Sequence, residues 1–231
     1  MKVGIFGGTF NPIHYGHLRA AEEVIEKVAL DRILFIPSGR PPLKNKDIAD
    51  VKHRYKMTRL ALMDNTHFEI SDRECRQKGK SYTVKTLKEL KRSHPERDFY
   101  FILGIDAFLD IPNWWHHEEL LALAHFIIIS RPGFQFIDLQ MSPVIETKKS
   151  VLRKLDVEEI DTYRMELKGH TTLTLLRLTP VGISSTEIRR LIKQDGSIKY
   201  LLPVSVESYI ISNKLYRKEQ RARDKINRRE G

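Results

Sequence analysis

Val3-Gly-Ile-Phe-Gly-Gly-Thr-Phe-Asn-Pro-Ile-His-Tyr-Gly-His-Leu18 is an apolar strand that runs into a glycine pair, a turn, and two histidines three residues apart at the start of a helix. Each piece has a mechanical use. Gly7 and Gly8 permit backbone angles and close approach that a side chain forbids. Pro12 fixes one φ angle. His14 and His17 share a face if they lie on one helical turn, and Gly16 keeps the surface between them bare. A helix N-terminus presents unpaired N–H groups and partial positive charge, which suits phosphate. Strand, loop and helix together read as a device that holds a nucleotide's phosphates against two imidazoles.

Outward from this segment, the chain alternates strand-like and helix-like runs. Val3–Phe6, Ile33–Ile36, Phe68–Ile70, Phe99–Leu103 and Phe126–Ser130 are short and apolar. Helical patterns over Leu18–Val28, Lys52–Met63, Val84–Lys91 and Glu118–Ala124 separate them. That alternation predicts an α/β fold, a Rossmann-like open parallel sheet with helices on both faces. Near-continuous apolar strands fit a sheet covered on both sides. Ligands of such sheets bind beyond the carboxyl ends of the strands, where the Gly7–His17 loop lies. Farther on, Glu146–Leu155 reads as a helix, 171–178 as a strand, Ser184 and Ser185 as the start of a helix to Lys193, and Val204–Tyr216 as a C-terminal helical segment. Most of 133–170 gives no clear pattern.

A chain of 231 residues suits one domain, expected over 1–215, with a basic tail over 216–231. The single cysteine, Cys75, excludes an internal disulfide. The strand-like start predicts no signal peptide, and the longest apolar run, Leu120–Ile129, is interrupted by His125 and too short for a bilayer. A cytoplasmic protein without membrane contact is the expectation. The net charge of +10 favours anionic ligands. Half of it sits in Lys214–Gly231, which carries eight Lys/Arg and three Asp/Glu. Apart from Tyr216 that tail lacks aromatic residues to stack on bases, so it reads as a solvated extension rather than a nucleic-acid contact. Self-association stays open.

A second motif, Ile183-Ser-Ser-Thr-Glu-Ile-Arg-Arg190, places Ser184 and Ser185 at a helix start with Arg189 one turn on. Such hydroxyls cap a helix or bind phosphate.

The first motif resembles the signature of nucleotidylyltransferases with His-x-Gly-His. The second resembles that superfamily's site for the β- and γ-phosphates. Further strings, in order, are Pro41-Pro-Leu-Lys44, Ser81-Tyr-Thr-Val-Lys-Thr-Leu87, Gly104-Ile-Asp106, Ile111-Pro-Asn-Trp-Trp115 and His125-Phe-Ile-Ile-Ile-Ser-Arg-Pro-Gly133. With them the chain is similar to the bacterial nicotinate-nucleotide adenylyltransferase family over roughly 1–133 and 180–215. The resemblance implies adenylyl transfer from ATP to nicotinate mononucleotide, giving deamido-NAD and pyrophosphate in NAD biosynthesis. His14, His17 and Lys44 would act on the phosphates. Gly7, Gly8, Thr9, Phe10, Ser184, Ser185, Arg189 and Asp106 would bind ATP. Thr83 would meet the nicotinate carboxylate, and the pyridinium would stack on Trp114. A Mg²⁺ ion would be held mainly by the phosphates, since the chain shows no dense carboxylate cluster. Three positions depart from the family: Asn11 and Lys85 stand where Asp is frequent, and Leu43 where His is. A sister enzyme using nicotinamide mononucleotide or pantetheine phosphate, and a non-enzymatic RNA-binding protein, are the competing readings.

Overall fold

The computed structural model describes residues 1–40, 47–77, 79–167 and 170–217. The strands are β1 (Lys2–Gly8), β2 (Arg32–Pro37), β3 (Phe68–Ile70), β4 (Asp98–Gly104), β5 (His125–Ile129), β6 (Thr162–Glu166) and β7 (Thr172–Leu176). They form a seven-stranded sheet in the order β3-β2-β1-β4-β5-β7-β6. Every pairing is parallel except that of β6 with β7. The expected parallel sheet thus carries one antiparallel edge strand. Thr-Tyr-Arg-Met-Glu has no residue under 9% exposure, so no apolar run announced β6.

The helices are α1 (Tyr15–Val28), α2 (Val51–Leu62), α3 (Arg73–Arg76), α4 (Thr83–Ser93), α5 (Ile105–Leu109), α6 (His117–Leu123), α7 (Lys149–Asp156), α8 (Ser185–Lys193) and α9 (Val204–Ser212). Two cores form because strand side chains alternate. In β4, Phe99, Phe101 and Leu103 join Val84 and Leu87 of α4 and Leu152 of α7 on one face. Tyr100 and Ile102 join Val24 of α1, Met57 of α2 and Ile188 of α8 on the other. A fully buried Phe such as Phe126 contributes enough that truncation to Ala costs about 3–5 kcal/mol. Among the described residues, no helix is long and apolar enough to cross a membrane.

The topology positions the site. The chain leaves β1 for β2 and β3 on one side, then returns to β4 on the other. The loops after β1 and β4 therefore diverge and leave a crevice at the carboxyl ends of neighbouring strands. The expected C-terminal helix over 204–216 stops at Ser212. Lys214 and Tyr216 then take positive φ angles of 51° and 64°, which turns the chain back.

Candidate active site

The crevice is floored by the first motif. His14 is the N-cap of α1, in extended backbone (φ −151°, ψ 170°), rather than a member of its first turn. The two imidazoles still meet, with ring centroids 3.8 Å apart. His17 Nδ1 accepts from the His14 N–H at 3.3 Å, which fixes one ring against the other's backbone. His14 is 6% exposed. Burial, and after it the positive charge of Arg131, push its imidazole down from 6.5 to about 4. It is therefore neutral at pH 7, and its Nδ1 has no hydrogen-bond partner among the described residues. A buried polar atom left in this state is costly unless something binds it.

The glycines act by close approach. A Cβ on Gly16 would lie 3.0 Å from His14 Nδ1, and one on Gly8 would lie 2.9 Å from the Phe10 ring. The expected unusual backbone angle falls elsewhere: Phe10 has φ 45°, whereas the only positive-φ glycines among the described residues are Gly79 and Gly133. Phe10 itself is buried, edge-on to His17 at 5.2 Å, so its ring supports the imidazole. Gly7, Gly8 and Thr9 precede it, Gly7 exposed and the other two half-buried.

The second motif closes on the first. Ser184 Oγ caps α8 by accepting from the Glu187 N–H at 3.1 Å. Ser185 Oγ donates to the Pro12 carbonyl at 2.8 Å, and Arg189 donates to the Asn11 carbonyl at 2.8 Å. Two motifs about 170 residues apart are thereby joined. Asp106, at the start of α5 after β4, accepts from Arg131 at 3.1 Å. Arg131 follows β5 and also faces His14, so one cation links the ends of β1, β4 and β5. Sequence reasoning did not select Arg131, although its Ser-Arg-Pro-Gly string was on the page. Lys44, with Pro41, Pro42 and Leu43, lies outside the described residues.

Beyond β2, Gly39 N–H donates to Ser81 Oγ at 3.1 Å, and Ser81 N–H to the Arg40 carbonyl at 3.2 Å. A Cβ on Gly39 would lie 2.1 Å from the Glu74 carbonyl oxygen, so only glycine allows this approach. These bonds tie the segment before α4 to the loop after β2, and Thr83 is the first residue of α4. Its N-cap Tyr82 makes no side-chain cap, and the first turn carries no acid, so the helix end is open to an anion. Trp114 is half-buried, donates from Nε1 to Asp110 at 3.1 Å, and packs edge-on to Phe101. Trp115 is the more exposed indole, at 46%. It stacks on Tyr82 with centroids 4.9 Å apart, and Lys85 Nζ sits 4.9 Å over it.

Arg54 was also missed. It is 1% exposed. Its guanidinium donates to the carbonyls of Thr9, Ser38, Gly39 and Ala49. It thereby fixes the loop after β1 to the loop after β2. Among the described residues, no group of three or more His, Cys, Asp or Glu gathers to hold a metal.

A cytidylyltransferase-like family model matches residues 5–191. A protein of Moorella thermoacetica named "probable nicotinate-nucleotide adenylyltransferase" is 42% identical over 218 residues, 94% of this chain and 92% of the relative. One of the same name from Desulfitobacterium hafniense is 41% identical over 217 residues, 94% and 96% of the two chains. In fold, the chain is similar to the nicotinic acid mononucleotide adenylyltransferase of Plasmodium falciparum solved with NaAD, with TM-score 0.68, 24% identity, and coverage of 93% and 97%. With both histidines at the switch point and relatives matched end to end, the chain belongs to the nicotinate-nucleotide adenylyltransferase family, within the cytidylyltransferase-like proteins.

Proposed function

We propose that the protein is a cytoplasmic enzyme that transfers the adenylyl group of ATP, presented as its Mg²⁺ complex, to nicotinate mononucleotide. The carrying observation is the buried, neutral His14 with an unpartnered Nδ1, stacked on His17 where the sheet's crossovers diverge. A phosphate oxygen of the mononucleotide attacks the α-phosphorus of ATP. The bond from that phosphorus to the β-phosphate bridge breaks, and pyrophosphate leaves with the electron pair. No side-chain nucleophile is required, so catalysis is positioning and charge stabilisation.

His14 and His17 donate to the α- and β-phosphates. Gly7, Gly8, Thr9 and Phe10 line the nucleotide with backbone. Lys44 supplies a further cation, and Asp106 lies toward the ribose. Ser184, Ser185 and Arg189 hold the leaving pyrophosphate, for which Ser185 and Arg189 exchange the carbonyls of Pro12 and Asn11. The metal would be held mainly by the triphosphate. The open N-terminus of α4 at Thr83 receives the nicotinate carboxylate, and Trp114 stacks on the pyridinium.

The test is pyrophosphate release with ATP, Mg²⁺ and a panel of nicotinate mononucleotide, nicotinamide mononucleotide and pantetheine phosphate. Release with the nicotinate form above the others supports the reading. Release only with another acceptor replaces the substrate, and release with none refutes adenylyl transfer.

A further inference from the structure

The turn that leads into His14 is held by the other end of the chain. Asn11 is 5% exposed. Its Nδ2 donates to the Asp47 carbonyl at 2.8 Å. Its Oδ1 accepts from the Ala49 N–H at 3.0 Å and from the Tyr216 hydroxyl at 2.9 Å. Asn11 and Pro12 also lend their carbonyls to Arg189 and Ser185 of the second motif, each at 2.8 Å. The segment from Asn11 to His14 is therefore gripped from three directions, and one of them is a residue beyond the last helix.

Tyr216 is built to stay there. Leu215 packs against the core shared with α9, and its N–H donates to the Ile210 carbonyl at 3.0 Å. The positive φ of Tyr216 is uncommon for a bulky residue and persists only where surroundings fix it. Burial pushes the phenol up, so the hydroxyl stays protonated and donates. The guanidinium groups of Arg189 and Arg54 face the same phenol. Nothing in the first motif calls for this residue.

We propose that the Tyr216 hydroxyl is a positioning group for the phosphate-binding end of α1, acting through the Asn11 amide on the placement of His14. The bond is more than fold maintenance. Removing the hydroxyl leaves Asn11 Oδ1 bonded to Ala49, so no buried acceptor is orphaned, and a phenylalanine keeps the ring's packing. What is lost is one restraint on the turn two residues before a catalytic imidazole, where small displacements are expensive.

The kinetic part of this inference rests on the proposed adenylyl transfer, so its test carries a second readout. Tyr216→Phe in the full chain should lower kcat/KM for ATP about tenfold. The KM for the acceptor should stay within about twofold and the thermal midpoint within a few degrees. The imidazole ¹H–¹⁵N signals of His14 and His17, read without substrates, should shift. In an Asn11→Ala background the same substitution should add no further loss, because coupled groups are not additive. A chain ended after Arg217 keeps the hydroxyl and should stay within about threefold of full length. Unmoved histidine signals overturn the proposal, and so do kinetics within twofold of wild type in an active enzyme. Shifted signals in a protein whose wild type transfers no adenylyl group uphold the latch and refute the function.

Discussion

Acid should destabilise this fold through His14 in a narrow window. The imidazole is 6% exposed, with its folded value pushed from 6.5 to about 4 by burial and then by Arg131. Protonation favours the unfolded chain, where the ring is hydrated. Between those two values the unfolded state binds more protons, so stability rises with pH and is lost as pH falls. Integrating the two titrations gives about 2 kcal/mol lost from pH 7 to pH 5, and about 3 kcal/mol once both states are protonated. For a domain of ordinary stability that is a large share. His125 is also lowered by burial and has the same sign, so the readout is a difference. Urea unfolding of wild type and His14→Gln should be followed from pH 4.5 to 7.5. The stability of wild type relative to the variant should fall by about 2–3 kcal/mol over the interval. A difference that stays flat to within about 0.5 kcal/mol would refute the claim that His14 is held neutral by burial.

Other outcomes follow from the same geometry. His17→Ala should lose on the order of 10²–10³ in kcat, the usual cost of one preorganised donor, and retention of more than about a third of turnover would remove His17 from the mechanism. Gly16→Ala should gain helix propensity of about 1 kcal/mol yet lose about tenfold in kcat/KM, because its Cβ would stand 3.0 Å from His14 Nδ1. A stabilised variant with wild-type kinetics would show that His14 need not be held there. Nicotinate mononucleotide should be preferred over the nicotinamide form by roughly 10²–10⁴ in kcat/KM, since an amide leaves donors at Thr83 unmatched. Thr83→Val should erode that preference while Trp114→Ala weakens both acceptors, and a wild-type preference below about tenfold would overturn the carboxylate assignment.

The sheet was legible because its strands are buried on both faces. Phe99–Leu103 and Phe126–Ile129 read as unbroken apolar runs for that reason. β6 lies at the edge with Thr162, Arg164 and Glu166 outward, so it gave no run, and the antiparallel strand went unread. α3 and α5, of four and five residues, are too short for a periodic signal. The end of α9 was missed because Asn213-Lys-Leu-Tyr216 has helical residue types. The helix stops in a left-handed turn at Lys214 (φ 51°), where Leu215 N–H bonds back to the Ile210 carbonyl and Lys214 N–H to the Ile211 carbonyl, a local cap that Gly or Asn usually marks and Lys does not.

The site divides along the same physical line. His14, His17, Gly16, Ser184, Ser185 and Arg189 could be found because their chemistry is written in side chains at fixed local spacing. The structure then joined the two motifs through backbone carbonyls of Asn11 and Pro12. Arg131 was within reach, as a cation directly after a strand whose carboxyl end faces the crevice. Arg54 and Tyr216 were not. Arg54 works by donating to the carbonyls of Thr9, Ser38, Gly39 and Ala49, and a carbonyl is carried by every residue alike. Replacing any of those four partners would leave the acceptor in place, so the sequence holds only one side of the interaction. Tyr216 does have a side-chain partner, but it lies 205 positions away across a turn that the chain's helical composition hides. The residues that hold the loops of this crevice in register are therefore the ones least visible in a linear reading, while those proposed to touch phosphate are the most visible.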